Sequence, residues 1–409
     1  MEKRRVVISG IGAVSPFGWE FASLLDGLER EQSAVSRLDE ADVIAGVDVR
    51  VGGKAPAFDP KIIPREYRRT MSPMGVMAFV AACEALKSAG IEPATSLDEE
   101  YRDMGVCIAS TTISPSMLED FFTTYVTLKN VESVRSTVFF KGMGHAVPSN
   151  VGAALGLTGR CIAPAAACAG SLQALGLSCE YIEFGKADMM LAGGADEFHP
   201  LLAATFDRIG AASHSREPAG ASRPFDRGRD GLVCSEGAGI FLLEEYKHAR
   251  ARQARIIAEV AGFSTIASPA SPVFPDTLAI QRCMERALAE AKMDSADIDI
   301  INAHATATES GDIAEGQAIY RLFGSRPLVN SLKGYMGHCM AASGALELGA
   351  VIGAANRGFM HGTMNLDNVD ERCGAINLAR AATKCASRVI LKNSFGLGGI
   401  NASLVVKIV

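Results

Sequence analysis

Tryptophan is nearly missing from the chain, with one in 409 residues, and tyrosine is scarce at seven. Proteins that stack on bases need such rings, and proteins that grip phosphates need long basic runs. This chain has neither, and its net charge is -6. That balance excludes a nucleic-acid binder. Paired cysteine spacing is missing too. The 10 cysteines are scattered, with no Cys-x-x-Cys, so a zinc finger is excluded, as is any HExxH-type site, and no metal is expected. The cysteines are expected as reduced thiols in a cytoplasmic protein. No apolar run reaches membrane-spanning length, because Glu347 and Arg357 interrupt the longest one. The start imitates a signal peptide, with charges ahead of Val6-Val-Ile. Ser9, Gly10, Gly12 and Pro16 break the imitation, and a buried first strand is the better reading.

Hydrophobic residues make up 48% of the chain and glycines number 41. That is enough for a large core with many tight turns and close backbone contacts, in two domains or one duplicated domain. Apolar runs read as buried strands at 5–9, 104–109, 256–263, 298–302, 327–330 and 388–391. Helical spacing predicts helices at 19–28, 71–90, 171–184 and 275–292. Turns are expected at 10–16, at Gly193-Gly194 and at Asn393 to Asn401. Strands alternating with helices in two halves of similar layout imply an α/β fold with mixed sheets between helices. The boundary falls near Arg255, giving halves 1–255 and 256–409. Gly10-x-Gly12 resembles half a dinucleotide fingerprint, but the third glycine and the acidic residue are not in place.

The chemistry centres on Pro164-Ala-Ala-Ala-Cys168-Ala-Gly-Ser171. A strand–turn–helix junction there sets the Cys168 sulfur at a helix N-terminus, which favours the thiolate. Small neighbours let a carbonyl approach the sulfur. The competing reading is a buried structural cysteine. Three more loops leave strand ends carrying reactive or donor groups: His304, His338 and Gly396-Leu397-Gly398-Gly399. Sites gather at such ends in α/β sheets. His145 reads as structural. Arg65, Arg68 and Arg69 form a basic cluster that is either a solvated face or a landing site for an acidic partner.

Together these motifs resemble one family. The Cys168 elbow, Ser222-Arg-Pro-Phe-Asp226, Asn302-Ala-His304, Lys333-x-x-x-Gly337-His338, Ala341-Ala-Ser-Gly344, and Asn393-Ser-Phe395-Gly with Gly398-Gly-x-Asn401 occur in the order found in β-ketoacyl–acyl carrier protein synthases. These are condensing acyltransferases of fatty-acid and polyketide synthesis. The chain is similar to those with a Cys-His-His triad, the group II synthases of the thiolase superfamily, and the likeness runs end to end. It implies a thiolase-like fold: two similar halves in five alternating αβαβα layers, dimeric, as a homodimer or a heterodimer with a related synthase subunit. It implies no cofactor, since substrates arrive on the 4'-phosphopantetheine of acyl carrier protein. It implies that Cys168 takes the acyl group and that His304 and His338 hold the enolate of a decarboxylating malonyl thioester. Lys333 would orient one histidine and keep the pocket positive. Backbone N–H groups of Cys168 and Leu397 would form an oxyanion hole. Thr306 and Thr308 would bond the pantetheine amides, Phe395 would wall the pocket, and Thr112 would sit at its bottom. Arg65, Arg68, Arg69 and Lys129 would steer the carrier. Asn302, Glu347 and Asn393 resemble positions near a buried structural cation in some relatives, and a neutral hydrogen-bond network is the alternative.

The departures are Ala305 and Ala307 where glycines or a serine are usual, Ala166 for a threonine, and Leu397 for a gating phenylalanine. They point to a specialised acyl chain such as a polyene, aryl or polyketide-like group. The alternatives are a thiolase, for which a second catalytic cysteine is not evident, and a non-catalytic or chain-length-determining partner subunit, which typically lacks the nucleophile.

Overall fold

The computed structural model describes residues 3–93, 97–130, 132–386 and 388–409. The first half contributes strands β1 (Val6–Val14), β2 (Gly105–Ala109), β3 (Cys161–Ile162), β4 (Met189–Asp196) and β5 (Gly237–Glu245). Its main helices are α1 (Pro73–Ser88), α2 (Pro115–Leu128), α3 (Ala146–Leu155) and α4 (Gly170–Glu183). The second half contributes β6 (Ala258–Ala267), β7 (Ile300–Asn302), β8 (Leu328–Asn330), β9 (Asn377–Leu378), β10 (Val389–Gly396) and β11 (Ile400–Ile408). Its helices are α5 (Thr277–Ala291), α6 (Glu309–Phe323) and α7 (Ser343–Asn356).

The strands form an 11-stranded mixed sheet in the order β9-β8-β7-β10-β11-β6-β1-β5-β4-β2-β3. Its seam is the β1–β6 pair, joined only from Val6 to Ile8. Outward from the seam the two halves repeat one pattern. In the first, β1–β5 and β5–β4 are antiparallel, then β4–β2 and β2–β3 are parallel. In the second, β6–β11 and β11–β10 are antiparallel, then β10–β7 and β7–β8 are parallel. Helices α4 and α7 fill the space between the half-sheets, where Leu172, Leu175, Leu348 and Val351 meet Phe241 and Leu404. Helices α1 and α3 cover the outer face of one half-sheet, and α5 and α6 that of the other. This is the five-layer α/β arrangement. Strands covered on both faces carry apolar residues without alternation, and β1 is buried at every position.

Local readings differ from the structure where glycine was taken for a turn. Residues 10–14 continue β1. A Cβ on Gly10 would lie 2.0 Å from the Ala85 carbonyl oxygen, and one on Gly12 would lie 2.0 Å from that of Ala81. These glycines let α1 lie directly on the strand. Gly193 and Gly194 likewise stay inside β4, paired with β5. The strand expected to end at residue 391 runs on to Gly396 as β10.

The repeat extends to the turns that matter. In the first half, Ala167 has φ 46° immediately before Cys168. In the second, Met340 has φ 48° immediately before Ala341. Both open a single 3-10 turn, and α4 or α7 follows. The same left-handed elbow therefore presents a sulfur in one half and a methyl group in the other.

Candidate active site

Cys168 sits in the elbow between β3 and α4, 6% exposed. Ala167 holds the left-handed backbone there, a conformation that costs an L-residue about 1–2 kcal/mol. Close packing fixes the elbow from two sides. A side chain on Gly396 would reach within 2.5 Å of the Ala166 carbonyl oxygen, so β10 must end in glycine to bring the Leu397 loop against the nucleophile. The backbone N–H groups of Leu397 and of Cys168 itself are directed at the sulfur. The expectation that the helix terminus leaves a thiolate is not met in the resting site. Burial dominates and pushes the Cys168 thiol up to about 11, while the charge of Lys333 and the two N–H groups pull the other way. The resting group is a thiol.

The sulfur of Cys168 and one ring nitrogen each of His304 and His338 lie within 4.8 Å of one another. The two imidazoles meet edge to face, with centroids 5.3 Å apart. Phe395 stands against His304 with ring centroids 5.7 Å apart. His304 leaves the end of β7, and the Glu315 carboxylate on α6 accepts from its backbone N–H at 2.9 Å and from that of Ala305 at 2.7 Å. The His338 Nδ1 lies 2.8 Å from the Ser343 hydroxyl oxygen, on the first residue of α7. Its Nε2, and Nδ1 of His304, are buried without a hydrogen-bond partner. Burial, then the charge of Lys333, with Lys392 also contributing, hold both rings well below their ordinary value of 6.5. Both imidazoles are therefore neutral at neutral pH. One sulfur and two imidazoles also form a donor set that suits a soft cation, although a thiol this basic would first have to lose its proton.

Lys333 is buried and its ammonium bonds Glu347 Oε1 at 2.6 Å, while its charge acts on both imidazoles. The second oxygen of Glu347 accepts from Lys392 on β10 at 2.5 Å. Lys392 lies beside Asn302 in the β10–β7 register. The neighbouring amides are engaged elsewhere. Asn393 donates to Glu315 at 3.0 Å and accepts from Ser403 at 2.8 Å. Asn302 donates to Asn330 at 2.9 Å, leaving its own oxygen buried without a partner. With both Glu347 oxygens taken by ammonium groups, the set around Asn302, Glu347 and Asn393 does not fit a bound metal cation, which needs several free oxygens. It is not a neutral network either, because it contains an ammonium on each side of a carboxylate.

The remaining residues spread over the mouth and the surface. Thr306 and Thr308 bond each other at 3.0 Å, across an Ala307 held at φ 68°. Leu397 is 47% exposed at the lip. Thr112 is exposed, and its neighbour Thr111 turns inward to Asp196 at 2.8 Å. Arg65 and Arg69 are exposed, Arg68 is half-buried, and Lys129 is exposed over the Tyr125 ring. Sequence reasoning missed Ser343, Glu315 and Lys392. The signal for Lys392 was present: a lone lysine between Leu391 and Asn393, in a strand otherwise suited to burial on both faces.

The geometry can be set beside known proteins. Residues 3–249 match the beta-ketoacyl synthase N-terminal domain and residues 257–367 the C-terminal domain. A curated relative, 3-oxoacyl-acyl-carrier-protein synthase 2 of Vibrio cholerae, is 34% identical over 100% of both chains. A beta-ketoacyl synthase from Burkholderia phymatum superposes with a TM-score of 0.95 at 36% identity, over 99% of this chain and 100% of that one. A type II polyketide synthase ketosynthase, solved in complex with its acyl-carrier protein and bound to the hexaketide, superposes with a TM-score of 0.89 at 28% identity, over 100% of both chains. A duplicated fold whose first elbow keeps the sulfur, and whose second half brings two neutral imidazoles to it, is thus accounted for by descent: the chain belongs to the β-ketoacyl synthase family of condensing acyltransferases.

Proposed function

We propose that the chain joins an acyl group, held as a thioester on Cys168, to a malonyl group carried by acyl carrier protein, releasing CO2 and leaving a 3-oxoacyl group on the carrier. The observation that carries this reading is the meeting of one thiol with two neutral imidazoles whose free nitrogens are buried and unpartnered. A buried polar atom without a partner costs free energy unless a ligand supplies one.

The steps follow from protonation states. The Cys168 thiol attacks the acyl thioester as its proton passes to an imidazole nitrogen, and the departing carrier thiol takes that proton up. The Ser343 hydroxyl can accept from Nδ1 of His338 or donate to it. His338 Nε2 can therefore act as base in the first half-reaction and as N–H donor in the second. The malonyl carboxylate then leaves as CO2, and the thioester oxygen gains the negative charge. Preorganised donors at such an oxygen are worth about 3–4 kcal/mol each. A neutral N–H donor gives up no proton to the enolate prematurely, so the carbanion remains free to attack the acyl-cysteine. The N–H groups of Cys168 and Leu397 hold the oxyanion of that step. Cys168 leaves as thiolate and regains a proton.

In this reading Thr306 and Thr308 face the pantetheine arm, and Arg65, Arg68, Arg69 and Lys129 steer the acidic carrier. Leu397, at the lip, bears on which acyl chains enter, and the substrate is a specialised acyl group such as a polyene, aryl or polyketide-like chain. Residues 1–255 and 256–409 are the two halves, with the family matches falling on either side of the boundary. The active form is a homodimer. Strand β3 ends the sheet with an open edge. Helix α2 exposes Phe122, Tyr125, Val126 and Leu128, and Phe139 is 64% exposed. An open edge and exposed apolar residues each call for a partner. A heterodimer with a related subunit is the other outcome, and sedimentation of the purified chain alone distinguishes them. Cytoplasmic residence is supported by the ten free cysteines. No helix among the described residues is long and apolar enough to cross a membrane.

The test separates the half-reactions. His304→Ala should still become acylated at Cys168, and its malonyl decarboxylation should fall on the order of 10²–10³-fold. Equal loss of both half-reactions would contradict the assignment. Loading across carriers that bear saturated, polyene and aryl chains tests specificity, and preference for ordinary saturated chains would end the specialised reading.

A further inference from the structure

We infer that Lys392 is an internal cation of the active site: its ammonium occupies the second oxygen of Glu347 and so positions Lys333 and the ground behind the two imidazoles. The inference deepens the proposed condensing reaction and rests on it for its kinetic consequences only.

The argument begins with burial. Lys392, Lys333 and Glu347 are each 0% exposed. A buried carboxylate needs compensation on both oxygens, and one ammonium satisfies only one of them. Lys333 takes Oε1 at 2.6 Å and Lys392 takes Oε2 at 2.5 Å. Lys392 also donates to the carbonyl oxygen of Ala303, at 3.4 Å. That carbonyl belongs to the residue immediately before His304, so Lys392 ties the His304 loop to the carboxylate that fixes Lys333. The groups facing Lys392 come from every neighbouring element: Glu347 from α7, Lys333 from the turn before it, Glu315 from α6, His361 from the chain after α7, and the imidazoles of His304 and His338. Burial draws the lysine down to about 8, and Glu347 holds it up. It therefore keeps its proton at neutral pH. Two ammonium groups around one carboxylate set a positive charge behind two neutral rings, with the Glu315 carboxylate held by the His304 and Ala305 N–H groups.

A tethered ammonium and a free metal ion cannot share that oxygen. The wild-type protein should therefore be indifferent to which small cation is present. Lys392→Ala opens the place of the ammonium and should acquire a cation requirement. The measurement is the unfolding midpoint and the condensation rate in potassium, methylammonium or bulky tetramethylammonium chloride at equal ionic strength. The wild type should show one midpoint in all three. Lys392→Ala should unfold several degrees higher in potassium or methylammonium than in tetramethylammonium. Its condensation rate, reduced on the order of 10- to 100-fold, should recover in part with the same salts. Lys392→Met fills the space without charge. It should lose condensation to a similar degree, show no cation response, and still acylate Cys168. The inference is overturned by a wild type whose midpoint depends on cation identity, by a Lys392→Ala protein that no small cation stabilises, or by a Lys392→Met protein that condenses at the wild-type rate. The midpoints report on the cation even if the chain runs no condensation, so failure of the reaction assignment would be seen separately.

Discussion

Two imidazoles kept neutral by burial and by positive neighbours define the chemistry at the level of single residues. A histidine beside a carboxylate would hold its proton above its ordinary value. His304 and His338 instead face ammonium groups, and their affinity for protons is lowered. The sign is definite. As pH falls through 6.5 these rings do not yet protonate, so kcat/KM for the malonyl carrier should stay level there and decline only at lower pH. A limb centred at the ordinary histidine value would contradict the electrostatics. Ser343→Ala tests the ring's orientation. It removes the one hydroxyl at His338 Nδ1, and kcat should fall on the order of 100-fold with KM for the malonyl carrier little changed. That Cys168, His304 and His338 come together was legible in the sequence because their types are chemically rare and their loops end strands. Ser343, Glu315 and Lys392 were not, because each acts through folding-dependent proximity. Lys392 is close to Glu347 only once β10 and α7 pack, 45 residues apart in the chain.

Elements place these residues by close backbone approach, and that is also where the local reading went astray. Composition alone makes Gly10 and Gly12 look like a turn. Their role is visible only with α1 in position, since nothing in a strand's own sequence announces which helix will lie on it. Gly10→Ala would drive a methyl group into the Ala85 carbonyl. It should cost about 3 kcal/mol or more, read as a fall in the urea midpoint. Ala307 offers the opposite case. Its φ of 68° is strained for alanine, and Asp312 holds the loop by accepting from its N–H at 3.1 Å. Ala307→Gly should raise stability by about 0.5–1 kcal/mol, with the strain relieved and part of the gain lost to backbone entropy. An unchanged or lowered midpoint would place the strain elsewhere.

At the scale of the whole molecule, duplication explains why one chain has one nucleophile and two histidines. Equivalent elbows at Ala167 and Met340 face the same central layer. The first delivers the thiol and the second packs Ala341 beside it, while the loops after β7 and β8 supply the rings. The α/β alternation was readable from periodicity. The merging of two half-sheets through three residue pairs was not, because pairing at a seam leaves no periodic trace. The surface carries its own prediction. Charge reversal at Arg65, Arg68 and Arg69 should raise the apparent KM for acyl carrier, more at low salt than at high, with kcat retained. An unchanged KM would make the cluster an ordinary solvated face. In the proposed reaction one sulfur holds the acyl chain while CO2 departs beside two neutral rings. Intact-protein mass spectrometry tests this most directly, taken after acyl carrier and again after malonyl carrier. The account predicts a mass gain of one acyl group, mapped to Cys168, that disappears with malonyl carrier as a 3-oxoacyl group forms on the carrier. Acylation at any other residue, or an acyl-Cys168 that malonyl carrier leaves untouched, would contradict it.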